Sequence, residues 1–301
     1  MTYEQLFDRN YGVFTTEEQA RIRAAKVVIV GTGGIGGTVA TILARSGVEH
    51  FVLYEHDIFT ITNMNRQIGC FTDTLGLSKA EVIKDTLLRI NPEAQIQMES
   101  RSVVEAEMDE VIMQGDVFLP AADDWALSMN MLGRAKELGK PAILAYPVGA
   151  LGRVSTFLPS SPYASECLVI PKGLPYDQLK EFIESPDNRR TLQYYCTEGG
   201  WTDEWFEGFC EGTRPHAQLC SIVWLTSALA AQEIIKLVSG RFKPVIAPRY
   251  WHVTPEGARI ARFSAARRLM ARSSVKPWAR ALLPKIARRP WLLRLFTRAL
   301  H

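Results

Sequence analysis

The sequence predicts an α/β fold: a Rossmann-like, mainly parallel sheet with helices on both faces, plus an irregular insertion and a basic C-terminal tail. Three observations predict it. Apolar runs of strand length alternate with helix-length segments over the first 150 residues, the pattern of parallel strands joined by crossover helices. A glycine turn, GTGGIGG, follows the first of those runs. Periodicity then lapses near residue 160 and returns at Leu219 in a long apolar helix.

Taken in order, residues 1–24 read as one or two short helices, with Thr15 or Thr16 as an N-cap before acids in the first turn. Residues 25–31 form the first strand, 33–47 the helix that the glycines start, and 50–55 a second strand ending at Glu55 with Asp57 just beyond. Val82, Leu87, Leu88 and Ile90 have helical spacing, with Ser78 as a cap and Pro92 as the stop. AQIQMES alternates as a third strand, and VEAEMDEVIMQ is a helix candidate. DVFLPAADD reads as a buried fourth strand ending in two carboxylates, Asp123 and Asp124. A helix over 125–139 follows, then a fifth strand, PAILAYPVG, and a turn into RVSTFLP.

From about 160 to 215 Pro, Gly, Ser, aromatic and charged residues mix, and we read an insertion with a helix at 176–185 and a mobile remainder. The helix from Leu219 to Val238 suits burial against the sheet or a partner subunit. RYWHVTPEGARIARF closes as a hairpin turning at Pro-Glu-Gly.

Composition narrows the function classes. With 301 residues the chain can bury a sizeable core. No run of about 18 apolar residues occurs, so no membrane-spanning helix is expected, and MTYEQLFDRN lacks the apolar stretch of a secretory signal. Five cysteines without a CxxC spacing indicate reduced thiols of a cytoplasmic protein and no structural zinc of the paired-CxxC kind. Charge is divided unevenly. No acid follows Glu256, and twelve Lys and Arg do; the residues before that point are net acidic. That acidic body argues against a nucleic-acid partner for the whole protein. The tail over 265–301 sets Trp278, Trp291 and Phe296 among arginines, which suggests contact with a membrane surface or a partner, or folding back onto the acidic body.

The glycines have distinct uses. Gly31 permits the tight turn, Gly33 lets the backbone approach a phosphate, and Gly36 lets the helix pack close to its strand. A phosphate at that helix start would meet free N–H groups and the positive end of the dipole. By itself the turn serves a dinucleotide or ATP equally well.

The order GxGGxG, an acid closing the second strand, NMNRQ, a lysine about a dozen residues on and an Asp after the fourth strand resembles the ThiF/MoeB/HesA family, relatives of the ubiquitin-activating enzymes. The resemblance covers roughly residues 7–255. It implies an adenylation domain over 1–264, ATP and Mg2+ as cofactors, a homodimer, and adenylation of a carboxylate, often the C-terminus of a ubiquitin-like protein or peptide. By position it implies that Gly31, Gly33, Gly34 and Gly36 line the nucleotide and that Glu55 takes the ribose hydroxyls. Asn63, Arg66, Gln67 and Lys79 match the phosphate side. Asp123 matches the magnesium-associated acid, with Asp124 as the neighbouring alternative, and Arg9 matches an arginine that reaches the partner subunit's phosphates. The chain departs from typical bacterial members in lacking both zinc CxxC pairs, which marks it as divergent.

Family members that pass the acyl group on often use a thiol in the insertion. Cys196 is the first candidate, Cys167 the second and Cys210 the third, with direct transfer from the adenylate to an external nucleophile as the alternative. His216 is a candidate proton carrier. Two further functions fit the residues: activation of a natural-product peptide or small carboxylic acid for cyclisation or dehydration, and an NAD-binding oxidoreductase or nucleotide-binding module without turnover.

Overall fold

The structure is a computed structural model, described over residues 1–168, 170–185, 188–189 and 201–263. Cys196 and the basic tail lie outside the described residues. One sheet of eight strands organises the chain, in the order β3-β2-β1-β4-β5-β6-β7-β8. The strands are β1 (Lys26–Val30), β2 (His50–Tyr54), β3 (Gln95–Glu99), β4 (Val117–Pro120), β5 (Ala142–Val148), β6 (Leu151–Phe157), β7 (Arg249–Thr254) and β8 (Gly257–Arg262). The first five pair in parallel and the last three are antiparallel. β1 lies between β2 and β4, so the chain leaves it in opposite directions on its two sides. That reversal opens a crevice at the carboxyl ends of the strands.

Alternation along these strands gives the sheet two apolar faces. Val27, Ile29, Phe51, Leu53 and Leu119 point to one side. There they meet α2 (Thr16–Ala24), α3 (Gly36–Arg45), α4 (Lys79–Ile90) and the long C-terminal helix. Val28, Val30, Val52 and Phe118 point to the other, against α5 (Met108–Met113) and α6 (Trp125–Glu137). α1 (Tyr3–Leu6) and a 3-10 turn over Asp8–Gly12 precede α2, whose N-cap is Thr15, in a capping box with Glu18.

Two expectations change. β4 stops at Pro120 rather than running on to the carboxylates, because Asp124 is the N-cap of α6 and accepts the Leu127 N–H at 2.9 Å. In the insertion, α8 (Tyr176–Glu184) forms where expected, but α7 (Ala164–Leu168) and α9 (Asp203–Cys210) also form. Cys167, Leu168, Leu179, Trp201 and Phe209 are buried in the α6-side core, so the described part of the insertion packs on the body of the fold. Helices of five and eight residues are too short to show a periodic stripe.

α10 (Cys220–Ser239), with a mean hydropathy of 1.4, is long and apolar enough by length and composition to cross a membrane. It packs instead on α3, β5 and β6. Its fully buried Glu233 accepts from the Thr156 hydroxyl, the Val245 N–H, the Lys236 ammonium and the Trp251 indole. A carboxylate so satisfied belongs to a protein core, whereas a lipid-facing one would be costly.

Candidate active site

The crevice is built on the glycine turn. Gly31 has φ of 94°, and a Cβ there would stand 2.6 Å from the Ala122 backbone nitrogen. A Cβ on Gly36 would stand 1.8 Å from the Gly31 carbonyl oxygen, so the helix start can lie on the turn only with glycine there. Glu55 sets the turn's shape from the neighbouring strand. Its Oε2 accepts the Thr32 N–H at 2.8 Å, and its Oε1 accepts the His56 and Asp57 N–H groups at 2.9 and 3.0 Å. A carboxylate offers about four acceptor directions, so most of Glu55 already serves the backbone.

Beside the turn, ITNMNRQ folds as a short 3-10 turn over Ile61–Asn63. Asn63 Oδ1 accepts the Thr60 N–H at 3.1 Å and closes that turn. Gln67 is buried against Gly33, whose built Cβ would be 3.4 Å from Gln67 Nε2, while Gln67 Oε1 has no partner. Arg66 donates only to neutral acceptors, the Thr62 carbonyl and Asn65 Oδ1, both at 2.8 Å. Among the described residues it has no ion pair. Burial lowers the Arg66 pKa, and the charge of Asp123 across the crevice opposes that shift. A half-buried cation without an acid at contact distance is a site that an anion would satisfy.

Lys79, the first residue of α4, is also buried, and its Nζ stands 3.0 Å from Asp57 Oδ2. Asp57 had no role assigned from the sequence; the pairing brings it into the site. Lys79 therefore rests on Asp57 and lines the same cavity as Gly31, Gly33, Glu55 and Gln67.

Three adjoining cavities meet at Asp123. The first, about 430 Å³, runs over the glycine turn, Glu55 and Lys79 to Val103, Leu127 and Lys180. The second, about 340 Å³, lies between Gly34, Arg66 and the end of β5. A third, about 180 Å³, enters the insertion beside His216. Asp123 lines all three, is exposed to them, and its carboxylate makes no hydrogen bond or ion pair among the described residues. Asp124 is committed elsewhere. Besides capping α6 it accepts from the Tyr176 hydroxyl at 2.5 Å and Lys180 Nζ at 3.4 Å. Burial works to raise its pKa, and those donors outweigh it and hold the pKa down. Of the two neighbours, Asp123 is the one free for an ion. Tyr176 and Lys180 went unnoticed in the sequence, because only the fold brings α8 to this edge.

Other candidates are not brought together. Arg9 is exposed on the 3-10 turn, whose Asn10 donates to the Ser46 carbonyl at the C-terminal end of α3. That end is about 15 Å from the glycine turn along a ten-residue helix, so Arg9 does not reach its own chain's crevice from there. Cys167 and Cys210 are buried in the core and are not accessible nucleophiles in this structure. Cys70 is buried too, and burial pushes its thiol pKa up. His216 lines the second and third cavities with its ring 4.3 Å from that of Phe209. Crowding by the surrounding protein, then the charges of Arg189 and Arg66, lower its pKa, although the side chain keeps an exposed face to the cavities.

A doubly covered, mainly parallel sheet with a glycine turn, and with an Arg66 and an Asp123 at its switch point that form no ion pair among the described residues, defines a nucleotide-binding α/β protein of the phosphate-handling kind. The chain belongs to the ThiF family, whose model matches residues 7–272. It is 31% identical over 141 residues to a probable molybdopterin-synthase adenylyltransferase of Porphyra purpurea, covering 47% of this chain and 37% of that protein. It is 30% identical over 136 residues to the tRNA threonylcarbamoyladenosine dehydratase of Haemophilus influenzae, covering 45% and 52%. The matched region thus spans between a third and about half the length of these relatives. Among solved structures, E. coli MccB with MccA-N7isoASN superposes with a TM-score of 0.67 at 21% identity, covering 88% of this chain and 73% of that one. The fold is the same.

Proposed function

We propose that this protein is an ATP-dependent adenylyltransferase that activates a carboxylate, the C-terminus of a peptide or ubiquitin-like protein, as an acyl-adenylate. The observation that carries the reading is the convergence of Arg66, Gln67 and Lys79 on the glycine turn, with the free carboxylate of Asp123 facing them across the crevice. The adenylyltransferase among its relatives supports it.

ATP and magnesium fit the residues present. The cradle over Gly31 and Gly36 admits backbone where a Cβ would clash, and Gln67 Oε1 is a buried acceptor suited to a ribose hydroxyl or an ion-bound water. Asp123 would hold Mg2+, which would neutralise phosphate charge. In the reaction a carboxylate oxygen bonds the α-phosphorus as the bond to the α–β bridging oxygen breaks, and the electron pair leaves with pyrophosphate. Two anions must approach, so the protein's part is mainly positioning and charge neutralisation. Arg66 would meet the α-phosphate from the second cavity. Lys79 would exchange Asp57 for phosphate. ATP–pyrophosphate exchange dependent on an added carboxylate tests the reading, and absence of exchange across a broad acid panel leaves a nucleotide-binding module without turnover.

The site is completed by a second copy in this reading. Leu219, which caps α10, and Trp224 and Leu225 within it are exposed, as are Ile61, Phe71 and Leu77 near the adjoining ITNMNRQ loop. The Trp224 indole donates to the Arg66 carbonyl at 2.9 Å, which ties this surface to the site. A homodimer formed here would hide these side chains, and Arg9 would serve the partner's crevice. Mixing inactive Arg9→Ala and Asp123→Asn proteins is then expected to restore exchange, since each mixed dimer has one intact site. An Arg9→Ala protein with full activity would place Arg9 outside the chemistry, and a mixture as inactive as its parts would overturn its service to the partner's crevice.

A further inference from the structure

The third cavity lies on the insertion side of Asp123, and none of its described lining comes from the glycine turn. Its walls are Trp125 from α6, Leu168 and Ile170 at the end of α7, Ile183 of α8, and Phe209 of α9 with His216, and Lys180 and Arg189 border it. Trp201 stands edge-on to Phe209 at 5.2 Å and to His216 at 5.8 Å, which backs that wall with a buried ring. The cavity shares Asp123, Trp125 and His216 with the second cavity and Asp123, Asp124 and Lys180 with the first. It therefore opens at the place where a reacting carboxylate would stand.

We propose that this cavity receives an apolar side chain on the C-terminal residue of the carboxylate substrate, so that the protein selects a substrate ending in a branched aliphatic or aromatic residue. The inference rests on the adenylation reading and specifies its substrate. A carboxylate attacking the α-phosphorus sits about 3 Å from it, and with the phosphates held between Arg66, Lys79 and Asp123 the substrate's terminal residue would lie at the Asp123 end of the crevice, where the three cavities meet. From there the substrate has two ways to go. Its main chain must find hydrogen-bond partners, and the second cavity, open to Gln218 and to the end of β5, offers them. Its side chain is left with the third cavity, where Trp125, Leu168, Ile170, Ile183 and Phe209 supply an apolar wall beside the charged Glu184, Lys180 and Arg189. At about 180 Å³ that space suits one residue; a cavity of about 150 Å³ with Leu, Ile and Phe walls admits benzene. A terminal glycine would leave it unfilled.

The test is ATP–pyrophosphate exchange with acetylated hexapeptides identical except for a C-terminal Gly, Ala, Leu, Phe or Asp. The expected result is kcat/KM for Leu or Phe about tenfold or more above that for Gly, the worth of burying one such side chain. Ile183→Trp, which fills the cavity from a partly exposed helix position, is expected to erase that advantage and keep exchange with the Gly peptide. Equal rates across the panel, or a preference that survives Ile183→Trp, overturn the pocket assignment and leave adenylation standing. No exchange with any peptide overturns this inference, while nucleotide-dependent exchange with other acids would still uphold the activity.

Discussion

Replacing Arg66 with alanine is expected to lower the exchange rate by about a hundredfold or more, roughly 3 kcal/mol of transition-state stabilisation, the scale seen when one preorganised donor to a developing charge is lost. The structure explains why so much should rest on one side chain. The Arg66 guanidinium is half-buried, hydrogen-bonded only to neutral oxygens and not neutralised at contact distance, so its charge is directed into the crevice. The change should fall on kcat more than on KM for ATP, because Lys79 and the turn would still hold the nucleotide. Lysine at the same position should recover only part of the rate, since it keeps the charge and loses the planar fork. An Arg66→Ala protein with unchanged kcat would remove Arg66 from the mechanism. Asp123→Asn should also abolish metal-dependent exchange. Its measure is the loss of response to added Mg2+.

Gly36→Ala is expected to cost about 3 kcal/mol or more of stability, at or beyond the upper end of overpacking changes in a core, with a fall in Tm of roughly 6 °C or more. The new methyl would lie 1.8 Å from the Gly31 carbonyl oxygen and 2.9 Å from Ile29, and the first contact is backbone that cannot swing aside. Gly33→Ala is the informative partner. Its Cβ would meet only the Gln67 amide, at 3.4 Å, so that protein should fold normally and bind nucleotide more weakly. Thermal unfolding followed by calorimetric titration with ATP separates the two effects. Equal stability for both variants would contradict the close approach of turn and helix.

The parts of the site that were legible in the sequence are those fixed by local chemistry. Gly31 and Gly36 announce a turn because only glycine fits; Arg66, Gln67 and Lys79 are singled out by the family resemblance and not by their own surroundings, and they line the cavities beside that turn. Asp123 and Asp124 were not separable, since adjacent acids after a strand can each cap a helix. The packing of α8 decides between them, through Tyr176 and Lys180, a contact between residues about fifty positions apart. The antiparallel β6 was hidden for a similar reason: LGRVSTF lies in the middle of the sheet and buries all seven residues, so it lacks the in–out alternation of a half-exposed strand. In the insertion, Cys167 sits on a helix of five residues among proline and serine, and nothing local shows that it faces the core.

Glu55 carries a last consequence. Its carboxylate takes the Thr32 N–H of the glycine turn on one oxygen and the His56 and Asp57 N–H groups of its own loop on the other, so the turn is fastened to the end of β2. ATP would enter a mould cast during folding, so the ordering entropy that a flexible phosphate loop loses on association is already spent. Recognition at this end of the crevice would then proceed by lock-and-key docking at a steady rate, and any slow structural adjustment in turnover would belong to the insertion side, where α8 is tied to Asp124.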